Sequence, residues 1–193
     1  MRPPQWATRS GRRLDLDAFG TCFLNAWSRT ESRFLKLECW QSYREREVTT
    51  SQAAYERGDI REAERLLRQE SEAERSLYED VERKGIDYAR IRLVQEPLTP
   101  YLDYELVAYR IRVRIGENIE VVRCDPAMRL PDEDHFDFLI FDRHTALIHD
   151  YGEIGLQSGG WMTHDATVIA ELEKRAIDLR RLAVPFEEFT AAV

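Results

Sequence analysis

Cysteine is scarce in this chain. Cys22, Cys39 and Cys124 are odd in number and share no CxxC spacing, which argues against a disulfide framework and against a thiolate zinc site. Long apolar runs are also missing, so no stretch reaches the roughly 20 residues that a membrane-crossing helix needs. The basic opening MRPPQWATRSGRR lacks the apolar centre of a secretory signal. The expectation from these absences is a cytoplasmic protein with reduced thiols and no membrane contact. Lysine is nearly absent too: Lys36, Lys84 and Lys174 are the sole lysines among 28 basic residues. Against 36 acidic residues these leave a net charge of −8, which repels phosphate and makes nucleic acid an unfavourable partner. Neither a Gly-x-Ser-x-Gly elbow, nor HExxH, nor a phosphate loop, nor a Gly-rich dinucleotide turn occurs. The common catalytic signatures are therefore lacking, and no cofactor is implied.

What remains is an ordinary globular composition, 43% hydrophobic and 33% charged over 193 residues, enough for one sizeable core. Residues 1–13 read as a flexible basic arm and residues 14–193 as a single α+β domain. Asp17 is a plausible cap for a helix carrying Phe19, Cys22, Phe23, Ala26 and Trp27 at helical spacing. Leu35, Leu37 and Cys39 alternate with polar residues as in a half-buried strand. The segment 49–85 reads as charged helix broken at Gly58-Asp59, with an apolar stripe narrow enough to permit a helix contact or a homodimer. A period-two strand near 87–94 runs into a helix that Thr99 caps and Pro100 opens. Strands follow at 119–124, 136–141, 145–151 and 156–162, with reversals at Asp142-Arg143-His144 and across Gly152 to Gly155. Asp165 caps a last helix that ends before Pro185. Runs of strands flanked by helices predict a mostly antiparallel sheet.

The densest chemistry lies in Arg33, Glu38, Arg90, Arg92, Glu96, Tyr101, Tyr104 and Glu105. Guanidinium forks suit bidentate capture of carboxylate or phosphate. Arg33, Arg90, Arg92, Glu96, Tyr101 and Tyr104 are thus candidate ligand-binding residues, with Glu38 or Glu105 as the general base if the site is catalytic. The alternative is a cross-strand ladder of ion pairs, such as Arg92 opposite Glu38, on a solvated sheet face. The acidic loop around Asp132, Asp134 and His135 offers hard oxygen ligands to a metal ion but lacks EF-hand spacing, and turn formation explains it more simply. His149 and Asp150 are strand neighbours that point to opposite faces and cannot form a dyad.

Several segments together resemble an actinobacterial family, domain of unknown function 6879, over roughly residues 18–186. The resemblance is carried by RFLKLE at Arg33 to Glu38, by Glu96-Pro97-Leu98 and Tyr101 within Arg90 to Glu105, and by Gly116-Glu117-Asn118-Ile119. Leu130-Pro131, Asp137 to Asp142 and Ala183-Val184-Pro185 add to it. It implies no established enzyme activity, and family members tend to be encoded beside helix-turn-helix regulators. The expectation is accordingly an accessory or regulatory protein that binds a protein partner, such as a DNA-binding regulator, or a second copy of itself. The competing readings are a small enzyme acting on a phosphorylated or carboxylated molecule through the Arg/Glu/Tyr cluster, and a nucleic-acid-binding protein.

Overall fold

The computed structural model describes residues 2–42, 50–152 and 155–191. Strands β1 (Arg12–Leu14), β2 (Arg33–Glu38), β3 (Asp87–Gln95), β4 (Ile119–Cys124), β5 (Phe138–Phe141), β6 (Thr145–His149), β7 (Gly160–Thr163) and β8 (Val184–Pro185) form one sheet in the order β1-β7-β6-β5-β2-β3-β4-β8. Pairings β2·β3 and β3·β4 are parallel and the other five antiparallel. The architecture is α+β, with helices on both faces of a mostly antiparallel sheet.

Period-two alternation divides the sheet cleanly. Leu35, Leu37, Ile91, Leu93, Phe138, Ile140 and Ile148 turn to one face, where α7 (Ala166–Arg180) covers them with Val168, Ile169, Leu172 and Ala176. The other face is shared. At one end α2 (Leu16–Trp27) packs on Phe34, Leu139, Phe141 and Leu147. At the other end α6 (Pro100–Val113) and α8 (Phe186–Ala191) close over Val94, Ile119 and Val121 with Tyr109, Phe186 and Phe189. Between these apolar ends β2 and β3 present Lys36, Glu38, Arg90 and Arg92.

Local chemistry explains most boundaries. Thr99 accepts from the Leu102 amide at 3.1 Å with Pro100 at the first helical position, as the spacing predicts. Asp165 accepts from the Thr167 and Val168 amides at 2.9 and 3.3 Å and caps α7. The charged segment divides into α3 (Thr50–Glu56), α4 (Ile60–Glu72) and α5 (Arg75–Lys84). Its break at Gly58-Asp59 is present, with Gly58 at φ 80° and Asp59 accepting from the Glu62 amide. The hairpin turn at Asp142-Arg143 takes φ values of 49° and 63°, the left-handed pair a two-residue turn needs. Asp142 is held there because its carboxylate accepts from Glu31 N, Ser32 N, Ser32 Oγ and Arg33 N at 2.7–2.8 Å.

The structure departs from the sequence reading in several places. The helix expected from an Asp17 cap is capped by Asp15, which accepts from the Ala18 amide at 2.8 Å and leaves Asp17 in the first turn, where the helix dipole favours it. Residues 2–13, expected as a flexible arm, carry α1 (Gln5–Thr8) and β1: Ala7 is buried, Trp6 meets Phe136 edge-on at 5.8 Å, and β1 pairs with β7. A second break near Ala73-Glu74 divides the charged segment without a glycine or proline to mark it. The stripe of α4, by contrast, makes the helix contact its pattern permits, with Ala63 and Leu67 turned to Ala108 and Ile111 of α6. β8 and α8 beyond the last expected helix complete the sheet edge. Thr49, and residues 153 and 154 of the expected Gly152 to Gly155 reversal, lie outside the described residues.

Candidate functional site

On the face opposite α7, β2 and β3 run parallel with Glu38 in register with Arg92 and Lys36 with Arg90. The direct contacts do not follow that register. Arg90 Nη1 lies 3.0 Å from Glu38 Oε1 and its Nε 2.7 Å from Glu117 Oε1. Lys36 Nζ also reaches Glu38 Oε1, at 2.6 Å. Tyr109 donates to Glu38 and Tyr88 to Glu117, each at 2.6 Å. Arg112 bridges Glu74 and Glu117 at 3.2 and 3.8 Å. Arg92, 2 % exposed, turns to α6, where Nη2 meets Glu105 Oε2 at 2.8 Å, and it donates to the Trp40 carbonyl. Tyr101 donates to the other oxygen of Glu105 at 2.6 Å.

This arrangement revises the sequence reading. The Arg90 and Arg92 ion pairs are buried beneath α6 and cross between layers instead of forming the expected solvated ladder; the partly exposed cross-strand pair is Arg33 with Asp87, opposite each other on β2 and β3. Glu38, Glu105, Arg90, Arg92 and Tyr101 are brought together in the buried network. Arg33 is not, because its odd register puts it on the α7 face, where it pairs with Asp87 and Glu173 at 2.8 Å each. Glu96 pairs with Arg123 at the strand end. Tyr104 faces α3, its ring 5.4 Å from Tyr55 and its hydroxyl 2.9 Å from Ser51 Oγ.

The electrostatics fit a satisfied network. Burial pushes the Glu38 carboxyl up, but Arg90, Lys36 and Arg92 outweigh it and hold the group well below its ordinary value. Glu117 shows the same balance, with burial overcome by Arg90, Arg112 and the Tyr88 hydroxyl. Tyr88 and Tyr109 are pushed up by burial and by the carboxylates they serve. Arg90 stays charged because Glu117 and Glu38 outweigh the cost of its burial. Two neighbouring groups are displaced towards neutrality instead. Burial takes Asp137 up to about 6, although the Cys39 amide at 2.6 Å opposes it. Burial and the Lys36 ammonium take His149 down to about 3.

Above this floor, between α2 and α5, lies a cleft of about 500 Å³. Phe19, Phe23 and Trp27 of α2 form one wall, Tyr78 and Leu77 of α5 the other, and Phe34, Tyr88 and Lys36 the base. Trp27 meets Phe34 edge-on at 5.1 Å, and Phe34 stacks on Tyr88 at 5.2 Å. His149, stacked on Tyr151 and 3.0 Å from Gln157 Nε2, closes one side. The sequence reading used Phe19, Phe23 and Trp27 only to place a helix and did not single out Phe34, Tyr78 or Tyr88. The available signal was the four-residue spacing of Phe19, Phe23 and Trp27, which aligns three rings on one stripe of α2.

The acidic loop does what turns require. Asp132 Oδ1 accepts from the Asp134 and His135 amides at 2.8 and 2.7 Å, and Asp134 pairs with Arg175 at 2.7 Å. Among the described residues no three His, Cys, Asp or Glu side chains are grouped so as to hold a metal ion. Among the same residues no helix is long and apolar enough to cross a membrane.

The family model described as "Domain of unknown function (DUF6879)" matches residues 21–191. The chain belongs to that family. No curated protein matches the chain. The matched span holds the whole buried network, from Lys36 to Glu117, and starts inside α2, so Phe19, α1 and β1 precede it.

Proposed function

We propose that this protein works by binding rather than by catalysis, as a cytoplasmic regulatory accessory protein whose cleft between α2 and α5 takes a small, uncharged, ring-bearing ligand. The observation that carries the reading is six aromatic side chains, Phe19, Phe23, Trp27, Phe34, Tyr78 and Tyr88, set over a charge-balanced floor. Aromatic walls favour a ring in offset or edge-on contact. In the floor the cations Lys36, Arg90 and Arg112 face the carboxylates Glu38, Glu117 and Glu74, three against three. A phosphate or carboxylate taken up by Arg90 would compete with Glu38 and Glu117 for that guanidinium and weaken a buried pair, at a cost of up to about 3–5 kcal/mol. A neutral ligand that accepts one hydrogen bond from Lys36 avoids that cost.

The same pairing weighs against the small-enzyme alternative. A general base needs a pKa near the working pH, whereas Glu38 sits well below its ordinary value and Glu105 is engaged by Arg92 and Tyr101. The regulatory half of the proposal rests on the family resemblance, with a DNA-binding regulator as the partner class and a homodimer as the other assembly to look for.

The test is thermal unfolding and Trp fluorescence against a set of neutral planar heteroaromatic fragments and their carboxylated counterparts. Neutral fragments raise Tm and alter emission, and Trp27→Phe removes the emission change while keeping part of the Tm rise. A set in which no neutral fragment stabilises, or in which the carboxylated members stabilise more, sinks the ligand assignment. Native mass spectrometry of protein purified gently from its host reads the partner: a regulator at fixed stoichiometry supports it, and bare monomer contradicts it.

A further inference from the structure

A second cleft, of about 510 Å³, lies on the other side of α2. We infer that it is a binding site for a small organic anion, a carboxylate or phosphate ester carried on an apolar body, with Arg12 and Arg29 as the anion-binding residues. Arg12 sits on the edge strand β1, and the one hydrogen bond of its guanidinium among the described residues is to Cys22 Sγ at 3.6 Å. Arg29 follows the end of α2, and no carboxylate of the described residues pairs with either guanidinium. That sets them apart from Arg33, Arg90 and Arg92, each of which is matched to at least one carboxylate. The residues best suited to anion capture are therefore not the arginines that the strand pattern singled out.

The lining leaves an uncompensated positive charge in a protein whose net charge is −8. Its one acid, Asp142, spends its oxygens on Glu31 N, Ser32 N, Ser32 Oγ and Arg33 N, so the backbone solvates that charge. The partial negative charge at the α2 terminus offsets about half of one guanidinium. His164 donates from Nδ1 to the His144 carbonyl at 2.9 Å, since a carbonyl oxygen accepts only, and this fixes the ring in the wall of the cleft. Phe141, Met162 and Ala26 supply the apolar part. Two guanidinium forks beside an apolar floor match an anion with a hydrocarbon or aromatic body better than a bare inorganic ion.

Met162 makes the site readable, because the chain has three methionines and this is the one in the cleft. Protein labelled with 13C-methyl methionine is titrated with phenyl phosphate, and with inorganic phosphate and benzyl alcohol as probes lacking one half of the ligand. The expected result is a saturable shift of the Met162 methyl with phenyl phosphate, at least about tenfold tighter than with either half-probe. The Arg12→Gln, Arg29→Gln double variant, whose exposed substitutions leave the Met128 methyl unmoved, weakens it by about tenfold or more. An unmoved Met162 methyl, a shift that the double variant retains, or a phenyl phosphate response confined to the Trp27 indole would each overturn the assignment. None of these outcomes bears on neutral ligands in the first cleft.

Discussion

Arg90 and Arg92 show how far a residue's meaning depends on what covers it. Alternation along β3 puts both guanidinium groups on one face, and that much is legible in the string RIRL. Whether they meet solvent, a ligand or a carboxylate depends on Glu105 and Tyr109 from α6 and on Glu117 after it, residues 13 to 27 positions further along. Arg90 holds two buried carboxylates at once, so removing it leaves Glu38 to Lys36 and Glu117 to the more distant Arg112. Arg90→Met is expected to lower stability to urea by about 3–5 kcal/mol. Arg90→Lys should restore little of it, because an ammonium cannot present two fixed N–H directions to two partners. A loss within about 0.5 kcal/mol in Arg90→Met would mean that the network contributes nothing net to folding.

At the scale of elements, α2 is the wall shared by both clefts, and its position against the sheet depends on how closely β7 lies to β6. Gly160 decides that. A Cβ there would stand 2.0 Å from the Ile148 carbonyl oxygen and 2.7 Å from the Phe19 ring, so backbone and helix both approach a space that no side chain fits. Gly160→Ala is expected to cost about 1–3 kcal/mol and to shift the Trp27 emission as α2 is displaced. Gly20→Ala serves as the control: nothing lies within 4 Å of a Cβ at that exposed position, and the change should be neutral or slightly stabilising. Boundaries were readable wherever one residue carries the signal, as with Thr99, Asp165 and Gly58. The second break in the charged segment and the short β8 were not, because no local residue enforces them: packing of α5 beside Tyr88 and of Phe186 on Tyr109 does so.

For the whole molecule, pH dependence is a sum over groups of opposite sign. His149 is lowered to about 3, so below 6.5 the unfolded chain binds a proton that the folded one refuses, and stability falls as pH drops from 6.5 towards 3. Asp137 is raised to about 6, so the folded state takes up its proton first, and stability rises as pH drops from 6 towards 3.8. Each slope is at most about 1.4 kcal/mol per pH unit, so the two nearly cancel between about pH 6 and 4. Below about 4.5 the lowered carboxylates Glu38 and Glu117 add a loss that nothing offsets. The wild type should therefore show a plateau and then a steep acid limb in urea melts taken at successive pH values. His149→Phe is expected to tilt the plateau upward on acidification, and Asp137→Asn to tilt it downward. Parallel profiles for all three proteins would show that neither group titrates differently on folding.

Taken alone, the sequence determined the α+β class, the order and approximate bounds of most elements, the caps of α6 and α7 and the in-and-out alternation within each strand. These follow from short-range periodicity and from single side chains that satisfy nearby backbone groups. It did not decide which charges meet, nor that Arg33 lies across the sheet from Arg90, nor that residues 2–13 close the β7 edge. Those depend on strand order and on which helix covers which face, and both are set by contacts between residues far apart in the chain. The aromatic cleft and the unpaired Arg12 and Arg29 belong to this second kind, because a pocket is a property of surfaces that fail to touch, and only the tertiary structure decides where that happens.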